Sequence, residues 1–286
     1  MSRLVVQHPR LAQAAVERFA SEIGRPPDRR SGRRADWHDV KISNTTLIVL
    51  SEECGVDAEI VPMHDRLENY RVIAFDMDST LITIECIDEI ADFLGRKEEV
   101  AAITEAAMRG EIADYDESLR MRVALLSGLP AQTLQRVYDE RVRLSPGART
   151  LIDAARGAGL KIVLVSGGFT FFTDRLHARL GFDFSRANTL EIIEGRLTGR
   201  VVGEIVNAQG KRRFVEQVCE RIGCSPLQSI VVGDGANDLR MMAIAGISIA
   251  YHAKPIVHTE TKHAVNHCGL DSILAFFDGT RFGWDD

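Results

Sequence analysis

The chain has 286 residues, of which 45% are hydrophobic and 27% charged, an ordinary globular composition long enough for one large domain or two modest ones. The net charge of −6 argues against nucleic acid or an anionic membrane as a partner, and no apolar stretch is long enough to span a bilayer. Five cysteines without Cys-x-x-Cys spacing, and no signal peptide, predict a reduced, cytoplasmic protein without a disulfide framework.

Residues 1–70 are predicted to form a separate small α+β domain. Short apolar segments at residues 4–6 and 46–50 favour strands, and residues 11–23 have the periodicity of an amphipathic helix. Residues 24–34 carry two prolines and five arginines. This basic stretch is interpreted as a solvated connection, with an anion-binding loop as the alternative.

From residue 71 onward, short apolar runs alternate with helical periodicity, which predicts an α/β fold with a doubly wound, Rossmann-like parallel sheet. The runs at residues 72–76, 161–165 and 229–232 each end in polar or glycine-rich residues. Because ligands bind at the carboxyl ends of the strands in such sheets, these turns should line up along one functional edge.

Two excursions interrupt this alternation. Residues from about 85 to 144 are helical throughout and contain no convincing strand, which predicts a helical cap inserted over the sheet edge. Residues 188–202 alternate apolar and polar around Glu194-Gly195, which is typical of a hairpin. The catalytic unit would therefore be residues 71–286, with the cap at about 85–144.

The first run ends in two carboxylates one residue apart, Asp76 and Asp78. They share a face of the strand and repel each other unless a cation or a shared proton holds them, which indicates a metal site or an acid/base pair. Ser166-Gly167-Gly168, Lys211 and the acidic turn at residues 233–238 add the remaining parts of phosphoryl transfer. These parts are a carboxylate nucleophile, an acid/base, backbone N–H groups for the anion, a lysine and oxygen ligands for Mg²⁺.

In order and spacing, residues 76–80, Ser166, Lys211 and residues 233–238 resemble the four motifs of the haloacid dehalogenase-like phosphohydrolases. The resemblance extends over roughly residues 71–280. Within the cap, Glu85 and residues 87–91, 107–110 and 118–123 are similar to those of family members that release L-serine from O-phospho-L-serine, the last step of serine biosynthesis. Two departures concern the lid: one extra residue between Gly110 and Ser118, and Tyr115 where phenylalanine is common.

The resemblance implies a role for each matching residue. Asp76 would be the nucleophile that forms an aspartyl-phosphate, and Asp78 the general acid/base. Mg²⁺ would be held by Asp76, Asp234 and the backbone carbonyl of Asp78, with Asp238 outside them. The substrate would be bound by Ser166, Gly167, Lys211 and Asn237 at the phosphate, Glu85 at the ammonium and Arg122 at the carboxylate, beneath an apolar lid of Tyr115 and Met108.

Several alternatives stay open. The chain could be a phosphatase of the same fold acting on another small phosphometabolite, or a transferase that passes the phosphoryl group to a second alcohol. A regulatory protein that binds serine or phosphoserine without turnover would have no need for both Asp76 and Asp78. His263 and His267 have the spacing of a zinc pair on a helix, but a structural role is favoured. The sequence is also compatible with a homodimer.

Overall fold

A computed structural model of the protein describes residues 1–109, 111–112 and 114–280. The strands are β1 (Ser2–Gln7), β2 (Arg29–Arg30), β3 (Arg34–His38), β4 (Asp57–Pro62), β5 (Val72–Phe75), β6 (Lys161–Phe169), β7 (Phe184–Ile193), β8 (Arg196–Val202), β9 (Ser229–Gly233), β10 (Ile247–Tyr251) and β11 (His263–Val265). The helices are α1 (Gln13–Ile23), α2 (Asn44–Cys54), α3 (Cys86–Asp92), α4 (Lys97–Met108), α5 (Tyr115–Ala124), α6 (Gln132–Arg141), α7 (Ala148–Gly157), α8 (Thr170–Leu180), α9 (Ala208–Ile222), α10 (Leu239–Met242) and α11 (Pro255–Glu260). None of the helices in these ranges combines the length and apolar character needed to cross a bilayer.

The first sheet is small and antiparallel, with the strand order β2-β3-β1-β4. Side chains alternate across it, as strand geometry requires. Leu4 and Val6 of β1 pack with Phe19 of α1 in one core, whereas Val5, between them, packs in the core of the second sheet. Both faces of this small sheet are therefore used, one by its own helices and the other by the rest of the chain.

The strand predicted at residues 46–50 is wrong, because this segment lies in helix α2. Ser43 caps the helix, its Oγ accepting a hydrogen bond from the Thr46 N–H at 3.1 Å, and Gly55 ends it with a φ of 60°. Leu47 and Leu50 are buried three residues apart, whereas Ile48 is 58% exposed. The apolar, β-branched composition favoured a strand, but the caps and the helical spacing of the buried leucines decide the structure.

The second sheet has seven strands in the order β11-β10-β9-β5-β6-β7-β8, all parallel except the β7–β8 hairpin. In β5, Ile73 and Phe75 pack on one face of the sheet, while Val72 and Ala74 pack on the other. Because helices cover both faces, β5 is apolar at every position. The predicted doubly wound α/β fold is confirmed.

Three neighbouring strand ends define the functional edge. Phe75 of β5 pairs with Leu164 of β6 on one side and with Val232 of β9 on the other. The residues that follow these three positions therefore emerge side by side. The sequence-predicted motifs after residues 75, 164 and 232 are consequently neighbours in space although about 90 and 70 residues separate them along the chain.

Helices α3, α4, α5 and α6 follow one another over this edge, within the segment of about residues 85–144 that was predicted to be helical. The chain leaves the sheet and returns to it at one place. The Thr83 N–H donates to the Arg143 carbonyl at 3.0 Å and the Ser145 N–H donates to the Leu81 carbonyl at 2.9 Å. These antiparallel hydrogen bonds join the segment that leaves the sheet before α3 to the segment that returns to it after α6. The four helices are therefore attached to the sheet at one fixed place.

The small sheet docks on the outer strand β11 through two acidic side chains of β4. The Asp57 carboxylate accepts hydrogen bonds from the backbone N–H groups of Asn266, His267 and Cys268 at 2.6–3.1 Å. Glu59 accepts one from the Ala264 N–H at 2.8 Å and contacts His263 Nδ1 at 2.9 Å. These contacts satisfy backbone groups of an edge strand. They also give the His263 side chain, on β11, a structural contact, whereas His267, beyond the strand, takes part through its backbone N–H.

The basic stretch at residues 24–34 is more ordered than a solvated connection. Arg34 is 8% exposed and its guanidinium makes a bidentate ion pair with Asp36 at 2.6–2.7 Å. Arg3 contacts the same carboxylate at 3.4 Å and donates to the Ala275 carbonyl at 2.9 Å. Part of this stretch thus contributes to the junction between the two sheets.

Candidate active site

Asp76 stands directly after β5 and is 5% exposed. Its backbone N–H donates to the Val232 carbonyl at 3.0 Å, which continues the pairing with β9, and its Oδ1 accepts a hydrogen bond from the Met77 N–H at 2.7 Å. The carboxylate is therefore fixed from two sides before any ligand arrives. A carboxylate held in one orientation can take part in a reaction without a further ordering cost.

Lys211 is fully buried and bridges two carboxylates. Its Nζ lies 2.9 Å from Asp76 Oδ1 and 2.6 Å from Asp238 Oδ1. The lysine sits in the first turn of α9, which Asn207 caps by accepting hydrogen bonds from the backbone N–H groups of Gln209 and Gly210. Burial disfavours the ammonium, but Asp238 and Asp76 outweigh that effect and raise the pKa of Lys211, so it stays charged.

Asp234 and Asp238 come from the turn after β9. The Asp238 Oδ2 accepts hydrogen bonds from the backbone N–H groups of Asp234 and Gly235, both at 3.1 Å, so Asp238 is occupied in holding the turn and Lys211. Asp234 Oδ1 accepts a hydrogen bond from Thr80 Oγ1 at 2.8 Å. Carboxylate oxygens of Asp76, Asp234 and Asp238 lie within 4.8 Å of one another. Clustered carboxylate oxygens are the ligands that Mg²⁺ prefers, so the residues fit a divalent cation.

The pKa values of Asp76, Asp78 and Asp234 are raised above the usual value for a carboxyl group. Burial, reinforced by Asp238, raises the pKa of Asp76 and raises that of Asp234 to about 7. Burial and the nearby charge of Glu85 raise the pKa of Asp78 to about 7. Ionising every member of a group of close, buried carboxyl groups costs free energy, because burial and the mutual repulsion of the charges both disfavour the ionised form. A cation would relieve the repulsion, and a carboxyl with a pKa near neutrality suits acid/base catalysis.

The turn after β6 brings its backbone against the acids. Ser166 is buried, and its Oγ accepts a hydrogen bond from the Gly168 N–H at 2.8 Å. A Cβ on Gly168 would collide with Asp78 Oδ2, and a Cβ on Gly167 would collide with the Tyr115 hydroxyl. A side chain at either position would displace Tyr115 or Asp78 from its present place in the site. The Asn188 side chain donates to the Gly167 carbonyl at 2.7 Å and fixes the turn from behind.

A pocket of about 750 Å³ opens between the strand edge and the cap. Most of the predicted site residues line it, namely Asp76, Asp78, Glu85, Tyr115, Arg122, Ser166, Gly167, Asp234 and Asn237. The buried Lys211 does not line the pocket but contacts Asp76. The cap contributes a carboxylate, a phenol and a guanidinium to the lining of the pocket: Glu85, Tyr115 and Arg122.

Hydrogen bonds join helix α5 of the cap to the core. The Tyr115 hydroxyl donates to the Gly167 carbonyl at 3.4 Å, and burial raises the pKa of Tyr115 to about 12, which keeps it neutral. Asp116 Oδ1 accepts a hydrogen bond from Asn207 Nδ2 at 2.9 Å. The side chain of Met108, predicted to form the lid with Tyr115, lies outside the described part of the structure.

Sequence reasoning missed several polar residues of the pocket. Asp88 and Lys254 both line it. Thr80 belongs to the predicted motif, but its hydrogen bond to Asp234 joins residues 154 positions apart and has no local signal. Asp88, three residues after Glu85 on α3, could have been found from helical spacing. Lys254 could not, because strand β10, which precedes it, was not predicted.

A sequence model of the haloacid dehalogenase-like hydrolases matches residues 73–243. Phosphoserine phosphatase of Polaromonas sp. is 57% identical over 213 residues, which cover 73% of this chain and 90% of that protein. A crystal structure of a haloacid dehalogenase family hydrolase from Salmonella enterica serovar Typhi superposes with a TM-score of 0.87 at 31% identity, covering 98% of this chain and 99% of that one. A substrate-bound complex of phosphoserine phosphatase gives a TM-score of 0.69 at 36% identity, covering 73% of this chain and 99% of that one.

The chain therefore belongs to the haloacid dehalogenase-like hydrolase family. This confirms the resemblance on which the site residues were assigned.

Proposed function

We propose that this protein is a Mg²⁺-dependent phosphoserine phosphatase that hydrolyses O-phospho-L-serine to L-serine and inorganic phosphate. One observation carries the proposal: the same pocket is lined by the paired acids Asp76 and Asp78 and by two side chains of opposite charge from the cap, Glu85 and Arg122. The first pair suits the chemistry of a phosphomonoester, and the second pair suits a zwitterionic amino acid. The names of the similar proteins support the same substrate.

In the first half-reaction, an Asp76 oxygen attacks phosphorus and the bond from phosphorus to the serine oxygen breaks. Asp78, protonated at its carboxyl, gives its proton to the departing alkoxide. In the second half-reaction, Asp78 as carboxylate takes a proton from water, which attacks the aspartyl-phosphate and releases phosphate. The raised pKa of Asp78, about 7, is consistent with both roles.

Positive charge and N–H donors would hold the phosphoryl group while these bonds change. Lys211 would hold the Asp76 carboxylate in place through their ion pair. Its positive charge would then lie close to the phosphoryl group that Asp76 attacks. The Ser166 hydroxyl, the Gly167 N–H and the Asn237 amide would bind its oxygens. Asp76 and Asp234, with the backbone carbonyl of Asp78, would hold Mg²⁺. When bound, the cation neutralises charge on the phosphoryl oxygens.

The cap would select the amino acid. A planar guanidinium reads a carboxylate through two parallel hydrogen bonds, which assigns Arg122 to the substrate carboxylate. Glu85 would bind the ammonium group. Tyr115, neutral and in contact with the Gly167 carbonyl, would close the pocket against water while the alcohol leaves.

We also propose a domain division and a cellular setting. Residues 1–70 would form a small α+β domain docked on β11 with a regulatory role, and residues 71–286 the catalytic unit with its cap at about 85–144. All five cysteines are free thiols, which suits a cytoplasmic enzyme. The reaction would complete serine biosynthesis.

The test is phosphate release by the full chain from O-phospho-L-serine, O-phospho-L-threonine and a sugar phosphate, each with Mg²⁺ and with EDTA. Fast, Mg²⁺-dependent release selective for phosphoserine would support the proposal. Selective release from another phosphate would favour a different phosphatase of this fold. Serine binding without any release from the three substrates would favour a regulatory protein.

A further inference from the structure

Ser79 has a backbone conformation that serine rarely adopts. Its φ is 55° and its ψ −2°, in the left-handed region, where only three other non-glycine residues of the described ranges lie. Glycine reaches this region without steric cost, whereas a side chain is strained there. Non-glycine residues kept in such a conformation cluster at functional sites, where the side chain has a task that glycine could not perform.

The task is visible in the contacts of three consecutive residues. Asp78 Oδ1 accepts a hydrogen bond from the Cys86 N–H at 3.1 Å, and Thr80 Oγ1 donates to Asp234 at 2.8 Å. Between them, Ser79 Oγ donates to Glu85 Oε1 at 2.7 Å. The left-handed turn thus places this hydroxyl in contact with the first residue of the cap.

Glu85 depends on this contact for its orientation. It occupies the N-cap position of α3, yet its side chain makes no capping hydrogen bond, because Asp78 already accepts from the first N–H of that helix. The Glu85 side chain is exposed to the open pocket. Among the described residues, Ser79 is its hydrogen-bond partner, so loss of the hydroxyl would free the carboxylate to rotate.

We propose that Ser79 is a positioning residue for substrate specificity, which holds the Glu85 carboxylate where the ammonium group of the substrate binds. This inference rests on the proposed function. It assigns the strained serine a role distinct from those of its neighbours: Asp78 would act as the acid/base, Thr80 holds Asp234, and Ser79 serves recognition of the amine.

The test uses two substrates that each lack one charged group of phosphoserine. O-phosphoethanolamine keeps the ammonium, and 3-phosphooxypropanoate keeps the carboxylate. The readout is the ratio of kcat/KM for the first substrate to that for the second. We expect Ser79→Ala and Ser79→Gly to lower this ratio about tenfold, since a hydrogen bond to a charged group is lost in both.

Two comparisons separate positioning from damage. Ser79→Gly relieves the left-handed strain and should melt at or above the wild-type temperature, whereas Ser79→Ala keeps the strain and should melt lower. If the ratio falls only in the variant that melts lower, and not in both variants that lack the hydroxyl, the inference is wrong. Glu194→Gly, at another non-glycine position with positive φ (49°) in the β7–β8 turn, is the matched control and should leave both substrates unaffected.

The decisive measurement is the double-mutant cycle with Glu85→Ala. In that background, Ser79→Ala should change the ratio less than twofold, because the group it positions is gone. An undiminished tenfold change would overturn the inference and place the effect on Asp78 or Thr80. Failure of the proposed function would show differently, as wild-type protein that releases no phosphate from O-phospho-L-serine.

Discussion

Two groups of acidic side chains in this protein lie in contrasting surroundings, one rich in hydrogen-bond donors and the other crowded with further acids. At the junction of the sheets, Asp57 is buried, yet its carboxylate accepts hydrogen bonds from three successive backbone N–H groups. At the strand edge, Asp76, Asp78 and Asp234 are crowded together, and burial raises the pKa of each. Burial alone therefore does not mark a functional acid. The carboxylates left short of donors are those for which a cation and a substrate can supply the missing interactions.

The largest expected effect separates these groups by activity. Asp76→Asn removes the proposed nucleophile and should lower kcat by at least ~10³-fold while the fold persists, as judged by circular dichroism. The matched change at the junction, Asp57→Asn, should leave kcat within about twofold of wild type, because it touches no pocket residue. Appreciable turnover by the Asp76 variant would remove Asp76 from the nucleophile role.

A smaller effect tests the cap's part of the pocket. Arg122→Ala should lower kcat/KM for O-phospho-L-serine by roughly 10- to 100-fold, the loss of a charged hydrogen-bonding partner, and affect an aryl phosphate far less. Arg120→Ala, two residues away on the same helix and exposed, is the control. An equal loss on both substrates would mean that Arg122 does not read the amino acid.

Metal removal tests the charge imbalance itself. At about 100 times its Kd, Mg²⁺ should raise the melting temperature by roughly 5–10 °C relative to EDTA, because it binds the folded carboxylates and not the unfolded chain. Asp234→Asn should shrink this shift, whereas Asp57→Asn should retain it. An unchanged shift in the Asp234 variant would place the stabilising cation elsewhere.

The smallest effect concerns the junction. Asp57→Asn leaves backbone donors facing an amide and should lower the free energy of unfolding by about 1–3 kcal/mol, measured by urea denaturation. Asp39→Asn is the control, since Asp39 is exposed with a φ of 48°, a conformation that asparagine tolerates. Equal stability of the two variants would mean that the Asp57 contacts do not hold the sheets together.

Local pattern was sufficient to predict the functional edge and its acids. The run that ends at Asp76 is apolar because β5 lies between two sheet neighbours and two helical layers, so the strand and its polar end stand out in sequence. Strand β11 gave only a weak local signal, because it is short and its partners are β10 and the distant Glu59. Residues 46–50 were misassigned, because composition outweighed the Ser43 and Gly55 caps. The Ser79–Glu85 contact depends on a backbone angle that sequence does not reveal.

One amide has a consequence for building chimeras of such enzymes. Asn207 both starts the helix that carries Lys211 and donates to Asp116 of the cap. A foreign cap grafted between residues 82 and 144 would have to present an acceptor to this amide. Without it, the graft would disturb the start of the lysine helix as well as the new substrate pocket. A cap can therefore be exchanged on this scaffold only if the new cap also supplies a side chain that accepts the hydrogen bond from Asn207, as Asp116 does.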